Sequence, residues 1–176
     1  MEGGVFLKTG HRAILCILIF IIAITAFLPS TMAARGGKGQ LKNLSFTIAT
    51  DKPEYQLGET VFVTLTLTNI GKKKDITIMY GDSKFFDFTV RIPVNSSYEI
   101  IYRWSYDKYF FQLVTVVTLH PGDSFGQTLE WPQTDFDKKQ VGPETYYISG
   151  ETLFILEPSG KLTLLRTQIL SIQIVD

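Results

Sequence analysis

Hydrophobic and polar residues alternate with a period of two along much of the chain after residue 43. The longest run is Thr60 to Thr68, with Val61, Val63, Leu65 and Leu67 on one face and Thr64, Thr66 and Thr68 on the other. That period predicts a strand with one face on a core, and threonine suits the wet face because it is β-branched yet tolerates water. Before it, Leu44, Phe46 and Ile48 alternate with Ser45, Thr47 and Ala49. After it, Ile76 to Tyr80 follows Lys72-Lys73-Lys74-Asp75, which reads as a solvated turn. Between Tyr80 and Gln112 two aromatic-rich segments flank the polar turn Pro93-Val94-Asn95-Ser96-Ser97. Phe86, Phe88 and Val90 alternate with Asp87, Thr89 and Arg91, predicting one apolar and one wet face. Ile100, Tyr102 and Trp104 alternate on the return, so this stretch reads as a β-hairpin.

Further on, Leu113 to Leu119 is β-branched and apolar, and His120-Pro121-Gly122-Asp123 turns the chain into Ser124 to Trp131. Pro132 to Thr145 is polar with little periodicity, a long connection of the kind that often carries function. Tyr146 to Ile148, Thr152 to Leu156 and Lys161 to Leu165 read as short strands broken at Ser149-Gly150 and Pro158-Ser159-Gly160. Leu170, Ile172 and Ile174 alternate in the last strand. No stretch after residue 35 has a helical period. The fold class is therefore all-β, and the spacing of strands and turns predicts a β-sandwich. Val63, Leu65, Leu67, Phe88 and Trp104 are expected in its core.

The first 34 residues follow another pattern. Lys8, His11 and Arg12 precede an apolar run from Ala13 to Leu28, followed by Pro29 and the small residues Thr31, Ala33 and Ala34. This is the layout of a secretory signal. The run is about 16 residues, near the lower limit for spanning a bilayer, so an uncleaved membrane anchor is the alternative. Residues 1–34 thus read as a signal peptide or anchor helix, 35–43 as a glycine-rich flexible linker and 44–176 as the sandwich domain. The expected location is secreted or at the cell surface, with the membrane as a partner if the segment stays uncleaved.

Composition narrows the function. With 17 basic and 17 acidic residues the formal net charge is +0, and the basic residues are scattered, which leaves no footprint for nucleic acid. The one cysteine, Cys16, lies in the apolar run, so no intramolecular disulfide and no cysteine-based zinc site is expected. His120 has no obvious nucleophile beside it, and acid–base work needs a positioned partner. Asp135 and Asp137 resemble a calcium loop only faintly, because Lys138 and Lys139 adjoin them. No enzyme, cofactor or metal is expected. Asn43-Leu44-Ser45 and Asn95-Ser96-Ser97 match the glycosylation pattern.

Two surfaces are candidates for binding. Trp104, Tyr106, Tyr109, Phe110 and Phe111 are too crowded to share one narrow core. They either cover an end of the sandwich or form an exposed patch, where large amphipathic rings are favoured. In the long connection, Phe136 stands among Asp135, Asp137, Lys138 and Lys139, an apolar anchor in a polar rim. Tyr106, Tyr109, Phe110, Phe136 and Asp137 are the candidate partner-binding residues.

Several of these segments carry a family resemblance. Ser83-Lys84-Phe85-Phe86-Asp87-Phe88, then Tyr102-Arg103-Trp104-Ser105 with Phe111-Gln112, then Leu119-His120-Pro121-Gly122-Asp123-Ser124 resemble the BsuPI family. Asn69-Ile70-Gly71 and Glu130-Trp131 extend the likeness, which runs from Asp51 to Phe154. The family is named for a bacterial intracellular proteinase inhibitor and has an immunoglobulin-like β-sandwich. The resemblance implies an antiparallel fold of that kind and a protein-binding inhibitor of a serine proteinase, possible partners being subtilisin-like. The family's named member acts inside the cell, whereas this chain has the layout of an exported one. A cell-envelope adhesion or assembly module of immunoglobulin-like fold is the alternative function.

Overall fold

The computed structural model describes residue 41 and residues 43–176, all of whose regular structure is β. Among the described residues eleven strands follow one another: β1 Leu44–Thr50, β2 Glu54–Gln56, β3 Val61–Asn69, β4 Ile76–Tyr80, β5 Asp87–Val94, β6 Ser97–Arg103, β7 Thr115–Leu119, β8 Ser124–Trp131, β9 Thr145–Glu157, β10 Lys161–Arg166 and β11 Leu170–Val175. No helix among the described residues is long and apolar enough to cross a membrane. The expected signal or anchor, residues 1–34, lies outside those residues.

Two sheets pack face to face as an immunoglobulin-like sandwich. The smaller runs β1-β3-β8, with β3 central. Its alternation is the one written in the sequence: Val61, Val63, Leu65 and Leu67 are fully buried while Thr64, Thr66 and Thr68 face outward. Thr64 and Thr68 bond to Thr128 and Ser124 across the strand pair, so the outer face is stitched by hydroxyls.

The larger sheet is organised around β9, whose two ends have different neighbours. One edge of β9 pairs with β11 and then β10; the other pairs with β5 and then β4. Beyond these lie β2, β6 and β7. All pairs are antiparallel except β2 with β11. The sequence suggested two short strands broken at Ser149-Gly150; they are one strand of 13 residues. The glycine is there for close approach rather than for a turn. A Cβ at Gly150 would stand 2.2 Å from Leu65 Cδ2 of the facing sheet.

The core between the sheets is rich in rings. Trp131 is fully buried, with Tyr146 at 5.2 Å and Tyr102 at 6.2 Å, and its indole N–H donates to the Thr134 carbonyl. Tyr80, Phe85, Phe125 and Phe154 form a second group. Two expectations are corrected. Asp87 and Thr89, expected on a wet face, are both 2% exposed. Each finds a partner that lets it be buried: Ser105, in the chain returning from β6, bonds Asp87, and Ser149 on β9 pairs with the Thr89 hydroxyl. Trp104, expected in the core, is only partly buried, because it belongs to this returning segment and packs against the core from its edge.

Candidate functional site

The returning segment, residues 104–114, is held down by charge. Asp87 opens β5 with its carboxylate facing outward but 3% exposed. It accepts from the Ser105 N–H at 3.1 Å and hydroxyl at 2.6 Å, and from Arg103 Nη1 at 3.1 Å. Lys84 Nζ stands 3.8 Å away. Arg103 also donates to Glu151 at 2.6 Å, and Arg166 lies 3.5 Å from the other oxygen of Glu151. Burial opposes the charge on Glu151, but Arg103 and then Arg166 outweigh it and hold its carboxyl below the ordinary glutamate value. The Trp104 N–H donates to the Phe88 carbonyl at 3.0 Å, and Tyr106 donates to Arg103 at 3.0 Å. Charged hydrogen bonds of this kind are the strong ones, so the loop begins from a fixed base.

Past that base the aromatics divide. Phe110 is half-buried, its ring 5.8 Å from Trp104 and 5.8 Å from Lys84 Nζ. The Lys108 ammonium sits 3.8 Å above the Trp104 ring. Its pKa is lowered chiefly by burial, with Asp87 and Glu130 opposing. Tyr109 between them is 100% exposed and Phe111 81%. Phe111 is tethered through its backbone: its N–H donates to Ser83 Oγ at 3.0 Å and its carbonyl accepts from the Ser83 N–H at 2.9 Å.

The second candidate loop, residues 132–144, is anchored by a buried glutamine. Gln133 is fully buried; its amide donates to the Gln56 carbonyl and accepts from the Gly58 N–H. The Asp135 carboxylate accepts from the Asp137 and Lys139 N–H groups, both at 2.9 Å, closing a tight turn. Asp135 is thus engaged by backbone. Among the described residues no group of three or more His, Cys, Asp or Glu could hold a metal ion. His120 pairs with Asp75 at 2.9 Å in an exposed turn, and that hydrogen bond raises its pKa.

The two loops meet. Tyr106 and Phe136 pack edge to face at 4.8 Å, and Lys138 lies 3.7 Å from Asp107. Tyr106 and Phe136 therefore join the loops at one aromatic edge; Tyr109 is exposed three residues beyond Tyr106, Phe110 is half-buried against Trp104, and Asp137 is exposed next to Phe136, 3.1 Å from Lys139. The sequence presented these loops as alternatives about 30 residues apart, and no motif announces their contact. Lys108, Ser83 and Asp87, which fix the first loop, form no site pattern in the sequence. A Lys-aromatic-aromatic run beside Trp104 was the signal available for Lys108.

The fold and this edge define the chain as an immunoglobulin-like sandwich domain with loops braced at one edge. It belongs to the BsuPI family, described as intracellular proteinase inhibitor, whose family model matches residues 48–154. Several solved structures are similar at low identity. The sporulation control protein Spo0M from Bacillus subtilis is 14% identical with TM-score 0.41, covering 77% of this chain and 51% of that one. The chain thus spans about half the length of Spo0M. The CARDB domain of a Pyrococcus furiosus protein, solved with di-metal ions, is 10% identical with TM-score 0.40, covering 80% of this chain and 99% of the domain. A β-glucosidase from Listeria innocua, solved with glucose, is 15% identical with TM-score 0.37, covering 78% of this chain and 17% of that one. No curated protein matches the chain.

Proposed function

We propose that this chain is an exported, non-enzymatic binding domain that inhibits a subtilisin-like serine proteinase through loop contacts. Family membership supports a proteinase as the partner. The observation that carries the choice of surface is the Tyr106–Phe136 contact, which joins two separately braced loops into one edge. Rigid loops bind with less ordering cost than mobile ones. Tyr109 and Asp137 stand exposed on the two loops so joined, Phe110 packs against Trp104 behind Tyr109, and interface energy concentrates at such aromatic anchors within a polar rim. Export is supported by the signal layout of residues 1–34.

A second reading has its own observation. On the outer face of the larger sheet, Leu162, Ile155, Met79 and Val116 stand in one cross-strand row, with Leu153 paired to Leu164 beside it. Leu162 is 64% and Val116 59% exposed. Exposed apolar patches favour protein contact, which suits an envelope adhesion or assembly module.

One experiment addresses both readings. The full chain is expressed in a bacterial host, and the extracytoplasmic fractions are assayed against a panel of subtilisin-like proteases. The chain is expected there, inhibiting at micromolar concentration. A chain kept in the cytoplasm would remove export. No inhibition by wild type would remove the inhibitor reading in favour of adhesion.

A further inference from the structure

We infer that Tyr109 fills the primary specificity pocket of the target, so the proteinase this chain fits has a large apolar pocket there. The inference rests on the inhibitor reading above and goes further, naming one residue and one pocket chemistry. Three consecutive aromatics, Tyr109, Phe110 and Phe111, lie in the segment, and the structure separates their roles. Phe110 is turned inward against Trp104 and is not available. Phe111 projects, but both its main-chain groups are engaged by Ser83. A protease cleft takes its substrate as an extended strand through main-chain hydrogen bonds, and a residue already paired on its own backbone fits that poorly.

Tyr109 has the opposite arrangement. Its side chain is 100% exposed, while the residues on either side are pinned to one ring. Lys108 lies 3.8 Å above Trp104, and Phe110 lies 5.8 Å from it. The Lys108 N–H also donates to the Ser105 carbonyl at 3.2 Å. The backbone at Tyr109 is therefore clamped on both sides with its ring pointing away from the protein. A tyrosine has few rotatable bonds, so seating it costs little conformational entropy. Pockets discriminate by chemistry: chymotrypsin has an apolar slot and trypsin an acidic one. A phenol ring fits the first and leaves the charge of the second unpaired.

The test uses the full chain and three enzymes: chymotrypsin, subtilisin and trypsin. Wild type is expected to inhibit chymotrypsin and subtilisin at least ~100-fold better than trypsin, and Tyr109→Arg to reverse the preference between chymotrypsin and trypsin. Tyr109→Ala should weaken inhibition of chymotrypsin by a similar factor. Because Tyr109 touches little of the protein, melting temperatures of all three forms should agree, which separates a lost contact from a lost fold. Inhibition by wild type that neither substitution alters would overturn this inference while sparing the inhibitor reading. Wild type that inhibits none of the enzymes would overturn both.

Discussion

Gly150 occupies an inward position of β9 where the alternation calls for a side chain. The space is taken instead by Leu65, fully buried on the central strand of the opposite sheet. Gly150 also keeps its backbone satisfied, donating to Thr167 Oγ1 and accepting from the Thr167 N–H at 2.9 Å each. In the sequence Ser149-Gly150 looks like punctuation, because glycine more often marks a turn than a seat for a neighbour. The two roles separate only once the facing strand is known. Adding a methyl at Gly150→Ala should cost roughly 1–3 kcal/mol by overpacking, and Leu65→Ala roughly 2–5 kcal/mol by leaving a cavity. The double variant should be less destabilised than the sum, since each change relieves the other. Denaturant melts of the four forms measure this; strict additivity would mean that the two residues do not share the space.

At the scale of elements, alternation is legible where one face of a strand is wet and fails where both faces are covered. β3 follows its written pattern from end to end. β5 does not, because the segment after β6 caps Asp87 and Ser149 of β9 pairs with Thr89, so that a polar face becomes a buried, hydrogen-bonded one. Polar residues in period two say that a face is polar; they do not say whether water or another segment satisfies it. The brace this creates is charged, so it responds to acid. The carboxyl of Glu151 is held below its ordinary value in the folded chain. Its contribution to stability is therefore present above the unfolded value of about 4.3 and lost as pH falls through the lower folded one. Glu151→Gln should flatten the acid limb of a melting-temperature profile between about pH 5 and pH 3. A variant profile parallel to wild type would show that Glu151 does not carry this sensitivity.

Across the whole molecule, the sandwich brings together what the sequence keeps apart. The β6–β7 connection returns within the larger sheet, whereas the β8–β9 connection crosses from the smaller sheet to the larger. They meet at Tyr106 and Phe136. Each loop was recognisable by composition, one by its rings and the other by its length and its lone phenylalanine. Their union was not, since it depends on the closure of the two sheets around Trp131. In the proposed function this joint edge, and no strand face, meets the proteinase. The most direct test is the inhibition constant of full-length Phe136→Ala against a subtilisin-like protease, beside a control, Leu162→Ala, on the outer sheet face. Phe136→Ala should weaken inhibition by about 30-fold, the loss of an interface anchor of roughly 2 kcal/mol, with the melting temperature nearly unchanged. Leu162→Ala should inhibit as wild type does. Unaltered inhibition by Phe136→Ala, together with a loss in Leu162→Ala, would rule out the joint edge and move the contact to the sheet.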